Sequence, residues 1–356
     1  MQKVKEYNIS AANVSLENII KNSHQPVVFK GLVSDWQSVK EARKSNECLN
    51  KYLTQLSSKP SNRIEAYEAT EESNGRYFFG NSFDEFNFNK VAYSFTDFLQ
   101  KIQYISQQNS NKTSIYAGGK QLSKHLDNFA RDNALSYDFG RPVEPRVWLG
   151  NSSVISTHFD TTDNIACLVS GKRTFTLFPT EQVKNLYPAP FNHTIAGAAV
   201  SMVDICNPDF EQHPLYQEAL DNAFVAELEP GDAIYIPLLW WHNVRSEGDL
   251  CMLVNYFWTA DTRKLESPMN FLYHGLYTLS HLSPEEILSW KALIDHFVFK
   301  TNGEPMTHLP TNNQGIFGEI TAEHAYDIRD LVLREMGFDL EFVKKGKYST
   351  PSSAST

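Results

Sequence analysis

The 356-residue chain reads as a mainly β domain with flanking helices, a barrel or sandwich, followed by a separate helical segment. Three observations carry that reading. Between residues 145 and 260, short runs rich in Val, Ile, Phe, Tyr and Trp recur at close spacing between turn residues. After Asp261 the apolar period lengthens from two toward 3.6 residues. At 41% hydrophobic, the chain can bury a sizeable core, as one large domain or one domain with an appendage.

Each element has its own signal. A polar start leads to a short helix at 16–21 and a strand at 26–29 closed by Gly31. Residues 41–135 are mixed, with an apolar-periodic helix at 95–105 and a polar loop at 107–112. From Pro145 onward, 147–150, 154–159, 164–170 and 173–179 read as strands, and 224–244 and 250–258 resume the theme. The excursion 187–224 between strands carries Pro188, Pro190, Pro208 and Pro214, and its length suits a lid or substrate-recognition loop. Helices are expected at 269–279, 284–299 and 322–336. Ser283-Pro284-Glu285-Glu286 is a strong helix start: a capping serine, proline at the first position and early acids. The expected organisation is a domain over 1–260 with its barrel core at 145–260, a helical region over 261–343, and a small, polar, disordered tail over 344–356.

Composition excludes several classes. A net charge of −10 argues against a general nucleic-acid binder, which needs clustered Lys and Arg. Cys48, Cys167, Cys206 and Cys251 form no C-x-x-C pair and no disulfide framework. The start lacks an apolar signal core, and no run approaches a membrane-spanning length, so a cytoplasmic protein is expected.

The chemistry concentrates in His158-Phe159-Asp160 and, far downstream, His242 in Ile-Pro-Leu-Leu-Trp-Trp-His. Two imidazoles and one carboxylate make a set that binds Fe(II) on one face and leaves the other open. A lone H-x-D is weak evidence, since roughly one such triplet is expected by chance at this composition. The chain holds a second, His125-Leu126-Asp127. That one lies in a helical pattern, where residues two apart diverge by about 200° and cannot share a metal. His158 and Asp160 lie in a strand-like run, where i and i+2 share a face and Phe159 points the other way into packing. His242 follows the Glu229-Pro-Gly-Asp232 turn and a strand at 233–237. Its aromatic surroundings shield the imidazole and keep it neutral. Trp240, Trp241 and Tyr256 read as core aromatics.

Together, Trp148-Leu-Gly-Asn151, His158-Phe-Asp160, Asn164, Gly171-Lys-Arg-Thr-Phe-Thr-Leu-Phe-Pro179, Pro230-Gly-Asp232, Trp241-His242 and Val254-Asn-Tyr-Phe-Trp258 resemble the Jumonji C or cupin-like family. Its members are iron- and 2-oxoglutarate-dependent oxygenases and include the asparaginyl hydroxylase of hypoxia-inducible factor. The resemblance covers about residues 10–260. It implies a double-stranded β-helix, the jelly-roll or cupin barrel, with iron at its open end. By position, His158, Asp160 and His242 match the iron ligands. Arg173, fifteen residues past the first histidine, matches the basic residue that holds the far carboxylate of 2-oxoglutarate, a position where many relatives carry lysine. Its planar fork suits a carboxylate. Lys172 would face the opposite side. Asn164 and Asn255 match amides lining the cosubstrate pocket, and Tyr116 matches a tyrosine touching the same carboxylate. One departure stands out: Ile155 occupies a position where relatives often carry a hydroxyl, and Ser156 or Thr157 would compensate only through a strand shift.

The resemblance implies Fe(II), 2-oxoglutarate and O2 as reactants, release of succinate and CO2, and hydroxylation of a protein or peptide side chain. N-methyl demethylation and oxidation of a small molecule or RNA use the same chemistry. A metal cupin enzyme independent of 2-oxoglutarate and a non-catalytic binding module stay open. The C-terminal helices suggest a homodimer.

Overall fold

The computed structural model describes all residues except 10–14, 60, 83, 109–112, 192–193, 196–198, 260–265 and 338–356. In chain order its elements are β1 (Gln2–Lys3), β2 (Lys5–Asn8), α1 (Leu16–Asn22), β3 (Val27–Lys30), α2 (Gln37–Lys44), α3 (Asn46–Leu56), β4 (Arg63–Ala69), β5 (Arg76–Tyr77) and β6 (Phe88–Ser94). There follow α4 (Phe95–Gln107), β7 (Ser114–Gln121), α5 (Leu122–His125), β8 (Arg146–Gly150), β9 (Ser153–Phe159), β10 (Asp163–Phe178), α6 (Tyr216–Asp221), β11 (Phe224–Leu228), β12 (Ala233–Ile236) and β13 (Trp241–Trp258). The chain ends with α7 (Pro268–Leu279), α8 (Pro284–Phe297) and α9 (Ala322–Glu335). The disordered tail expected at 344–356 and most of the loop at 107–112 lie outside the described residues. Cα proximity divides the chain into Met1–Thr262 and Arg263–Thr356.

Local chemistry explains the helix starts. The side chains of Ser15, Ser45 and Ser94 accept from the backbone N–H groups of Asn18, Cys48 and Asp97 and so start α1, α3 and α4. Ser283 and Glu286 form a reciprocal capping box with Pro284 at the first position of α8, as its sequence requires. The helix ends at Phe297, two residues short of the periodicity, because Val298 closes the last turn.

The strands differ from the sequence reading in one instructive way. The runs 164–170 and 173–179 are halves of one strand, β10, and the run 250–258 belongs to β13, which begins back at Trp241. The two long strands pair antiparallel from Asp163↔Trp258 to Phe178↔Trp241, with register shifts around Ser170. Gly171 there has φ +79°, and a Cβ on it would stand 2.6 Å from the Cys251 sulfur. The glycine thus bends the pair without breaking it. The run 224–244, by contrast, is interrupted twice: turns at Glu229–Asp232 and Pro237–Trp240 separate β11, β12 and β13.

The bend folds each long strand across two facing sheets. The first half of β10 pairs with β12 and its second half with β11. The C-terminal half of β13 pairs with β8 and its N-terminal half with β9. The larger sheet therefore runs β2-β3-β12-β10-β13-β8-β7-β4-β6, and the smaller contains β1, β11, β9 and β5. Side-chain alternation sorts the core. Ile165, Cys167, Val169, Met252 and Val254 face a layer of helices with Leu49, Leu53, Phe95 and Phe98. Ala166, Leu168, Phe175, Leu177, Val244 and Leu253 fill the space between the sheets. Each fully buried Leu or Phe contributes roughly 1.5–3 kcal/mol of transfer free energy. This is a cupin-type double-stranded β-helix with flanking helices. Because β10 and β13 both fold back at the bend, their four ends converge on one rim, the open end, and the Gly171 bend forms the closed end.

Candidate active site

His158 and His242 are directly opposed in the β9–β13 register, with ring centroids 4.4 Å apart. The pairing then slips: Val244 faces Ile155, so β9 carries an extra residue between them. That bulge turns both Ile155 and His158 toward the barrel interior. Asp160 follows one residue past β9, and its Oδ2 lies 3.6 Å from His242 Nε2. One donor atom from each of His158, Asp160 and His242 lies within 4.8 Å of the others, a grouping able to hold a metal ion.

The backbone prepares both imidazoles for that task. His158 Nδ1 is 2.8 Å from the Ser156 carbonyl, and His242 Nδ1 is 3.0 Å from the Trp240 carbonyl. A carbonyl only accepts, so each Nδ1 carries a hydrogen, and in a neutral ring Nε2 is then the nitrogen left to bind a metal. Burial, and the neighbouring His158, push the His242 pKa down to about 4, against the opposing pull of Asp160. The ring is therefore neutral at pH 7. Phe159 points away, as the strand pattern requires, and packs edge-on against Trp241 at 4.8 Å. Trp240, Trp241 and Tyr256 are all core residues. His125 is buried in α5 and stacks on Phe95, while Asp127 turns outward to Ser58, so the second triplet forms no cluster.

At the closed end lies Arg173, 6% exposed. Its Nε has no hydrogen-bond partner, and among the described residues it forms no ion pair. Burial pushes its pKa down, with nearby Tyr116 working the other way. A guanidinium stays protonated even so, which leaves a buried cation short of an anion. Lys172 faces outward instead and pairs with Glu229 at 3.4 Å. Tyr116 stacks on Trp148 at 6.1 Å, and burial pushes its hydroxyl pKa up. Gly118 makes room for that ring, since a Cβ there would meet it at 2.7 Å.

Asn164 and Asn255 meet through a directed chain. Trp148 Nε1 donates to Asn255 Oδ1 at 2.7 Å, and Asn255 Nδ2 donates to Asn164 Oδ1 at 3.0 Å. An indole N–H can only donate, so Trp148 fixes the orientation of both amides and leaves the Asn164 nitrogen as a donor. Sequence reasoning missed this role. The signal was available: Val147 and Leu149 face the helices, so Trp148 between them faces the interior.

Ile155 packs with Tyr116 and Trp148. The strand does shift here, yet no hydroxyl replaces it from Ser156, whose Oγ donates to the Tyr77 carbonyl at 2.9 Å. The excursion after Tyr187 lies along β9: Ser201 N–H donates to the Thr157 carbonyl at 2.7 Å, and Val200 bridges His158. The rim turn before β13 holds Leu239 in the left-handed region at φ +62°, a cost of roughly 1–3 kcal/mol for a residue with a Cβ.

The fold and site define a class: a cupin-type barrel with two histidines and one carboxylate converging at its open end. A model of the cupin-like domain matches residues 12–264, and the chain belongs to the Jumonji C/cupin-like family. It is 34% identical over 145 residues to mouse tRNA wybutosine-synthesizing protein 5, covering 36% of this chain and 42% of that protein. It is 23% identical over 289 residues to the Arabidopsis thaliana lysine-specific demethylase JMJ31, covering 72% and 50%. To Drosophila melanogaster Jumonji C domain-containing protein 5 it is 30% identical over 176 residues, covering 45% and 42%. The chain thus spans half or less of the length of these relatives. No helix among the described residues is long and apolar enough to cross a membrane.

Proposed function

We propose that the protein is an Fe(II)- and 2-oxoglutarate-dependent oxygenase that hydroxylates a protein or peptide side chain. The observation that carries this is the pairing of two unmet demands at the two ends of one barrel interior. Three donors at the open end await a cation, and a buried, unpaired guanidinium at the closed end awaits an anion. Arg173 lies four positions along β10 from Leu177, the partner of His242, roughly 13 Å of strand. A dicarboxylate reaching from the three donors toward the Arg173 fork would satisfy both.

In this reading His158, Asp160 and His242 hold Fe(II) on one side and leave the remaining positions open. Arg173 takes the far carboxylate bidentately, with the Tyr116 hydroxyl and the Asn164 nitrogen as further donors. When bound, iron, 2-oxoglutarate and O2 supply the oxidation, one oxygen atom ending in succinate as CO2 leaves and the other in the new hydroxyl group. Ile155, Val244 and Leu253 keep the walls apolar and limit water. No side chain needs to act as a general base.

The experiment is to incubate purified protein with Fe(II), ascorbate and 2-oxoglutarate and to measure succinate. Succinate that requires iron and disappears in Asp160→Ala supports the proposal. Metal binding without 2-oxoglutarate consumption would point to a cupin enzyme of another kind.

A second reading, oxidation of an RNA base, is favoured by the resemblance to tRNA wybutosine-synthesizing protein 5. The net charge of −10 counts against a polyanionic substrate. Comparing succinate yield with tRNA and with a peptide library separates the two. We further propose a homodimer through α7 and α8. Neither helix buries a residue, and Tyr277 and Leu288 are 80% and 67% exposed. A second copy would offer the same apolar faces in return.

A further inference from the structure

The turn that delivers His242 is bonded to the strand end that delivers Asp160. We infer that Asp163, Tyr235 and Thr180 are positioning residues that set the spacing between those two donors, acting through the backbone of Leu238 and Leu239. The inference rests on the metal-site reading above and adds residues that the donor cluster does not itself contain.

The connection between β12 and β13 is short, and Leu239 within it is held left-handed. Such a conformation persists only where the surroundings over-determine it, and here three hydrogen bonds hold the turn while a fourth fixes the carboxylate that accepts one of them. The Leu239 N–H donates to the backbone carbonyl of Asp160 at 2.8 Å. The Thr180 hydroxyl donates to the Leu239 carbonyl at 2.9 Å. The Leu238 N–H and the Tyr235 hydroxyl both donate to Asp163 Oδ1, at 3.4 and 2.8 Å. Asp163 opens β10 and Thr180 lies just past its other end, so the two rim ends of one folded strand grip the turn from both sides. Burial pushes the Tyr235 phenol pKa up, which keeps the hydroxyl protonated as the donor this arrangement needs.

The grip reaches both metal donors. Asp160 is bound through its own carbonyl. The next carbonyl after Leu239, that of Trp240, accepts from His242 Nδ1 and so sets the rotation of the imidazole. A displaced Leu239 peptide would therefore shift the carboxylate and turn the ring together, the kind of outer support on which metal affinity depends.

The test uses cobalt(II) as a spectroscopic probe of the apo-protein. The Thr180→Val, Tyr235→Phe double variant removes two hydroxyls and little volume. It is expected to fold, to bind cobalt(II) about 10–100-fold more weakly, and to show altered d–d bands. Thr180→Ser alone, which keeps the hydroxyl, retains the wild-type affinity and spectrum. Leu53→Ala, in the helical layer far from the turn, lowers the melting temperature and leaves cobalt affinity unchanged. If the double variant does not fold, Thr180→Val alone reports the same two quantities. Unchanged affinity and bands in a folded variant would overturn the inference, as would an equal loss of affinity in Leu53→Ala, which would make affinity a mere readout of stability. A wild-type protein that binds no cobalt(II) would instead defeat the metal-site reading itself.

Discussion

The two ends of the barrel interior hold opposite kinds of incompleteness. At the open rim three ligand atoms converge: the Nδ1–H groups of His158 and His242 donate to backbone carbonyls, which orients both rings, and Asp160 brings a side-chain oxygen. At the closed bend, Arg173 keeps a charge that no described residue neutralises. The rim is built by backbone positioning, so its geometry persists without a ligand. The bend is destabilising until an anion arrives, because a buried charge without a partner loses hydration and gains little in return. On the proposed reading, a barrel interior of this kind suits a ligand with two different ends.

Variants at each end should break this contrast in different ways. The largest effect is expected from His158→Ala or Asp160→Ala, which remove a donor: iron affinity should fall more than about 100-fold, with succinate formation lost. Arg173→Met comes next. Losing a charge-assisted contact of roughly 1.5–3 kcal/mol should raise the KM for 2-oxoglutarate by about 10–150-fold. The same change removes the unpaired charge, so the melting temperature of the apo-protein should hold or rise, in contrast to an ordinary core substitution. A drop in melting temperature would mean that Arg173 has a partner within the protein. Trp148→Phe sharpens the comparison, since it keeps the aromatic stacking and loses only the indole donor. The amides of Asn255 and Asn164 are then free to turn, and about 1 kcal/mol, roughly a fivefold rise in KM, is expected. The smallest effect on turnover, within about twofold, is expected from Tyr277→Glu with Leu288→Glu, surface changes that should nonetheless convert a dimer to a monomer in light-scattering mass measurements.

The ends also differ in how far they could be read from sequence. The rim was legible because period-two alternation places His158 and Asp160 on one face, and because the aromatic run before His242 marks a shielded strand start. Alternation alone did not foresee the bulge that turns Ile155 inward beside His158, since an extra residue in a strand leaves no compositional trace. Arg173 was legible by resemblance, from its place after Gly171. Its isolation could be known only once every neighbouring acid had been located. The Gly171 bend itself was read as a break, because a glycine between two apolar runs signals a turn and a bulge equally well. The Trp148–Asn255–Asn164 chain joins residues more than ninety positions apart, and no local pattern encodes such a pairing. Much the same holds for the grip of Asp163 and Thr180 on the Leu239 turn.

The central claim is that one small dicarboxylate joins the two ends. Anaerobic titration of the Fe(II)-loaded protein with 2-oxoglutarate, followed by visible absorption, tests it most directly. A saturable metal-to-ligand charge-transfer band in the wild type, shifted to much higher 2-oxoglutarate concentration in Arg173→Met, is the predicted result. Iron demonstrably bound at His158, Asp160 and His242 with no such band at any 2-oxoglutarate concentration would contradict it.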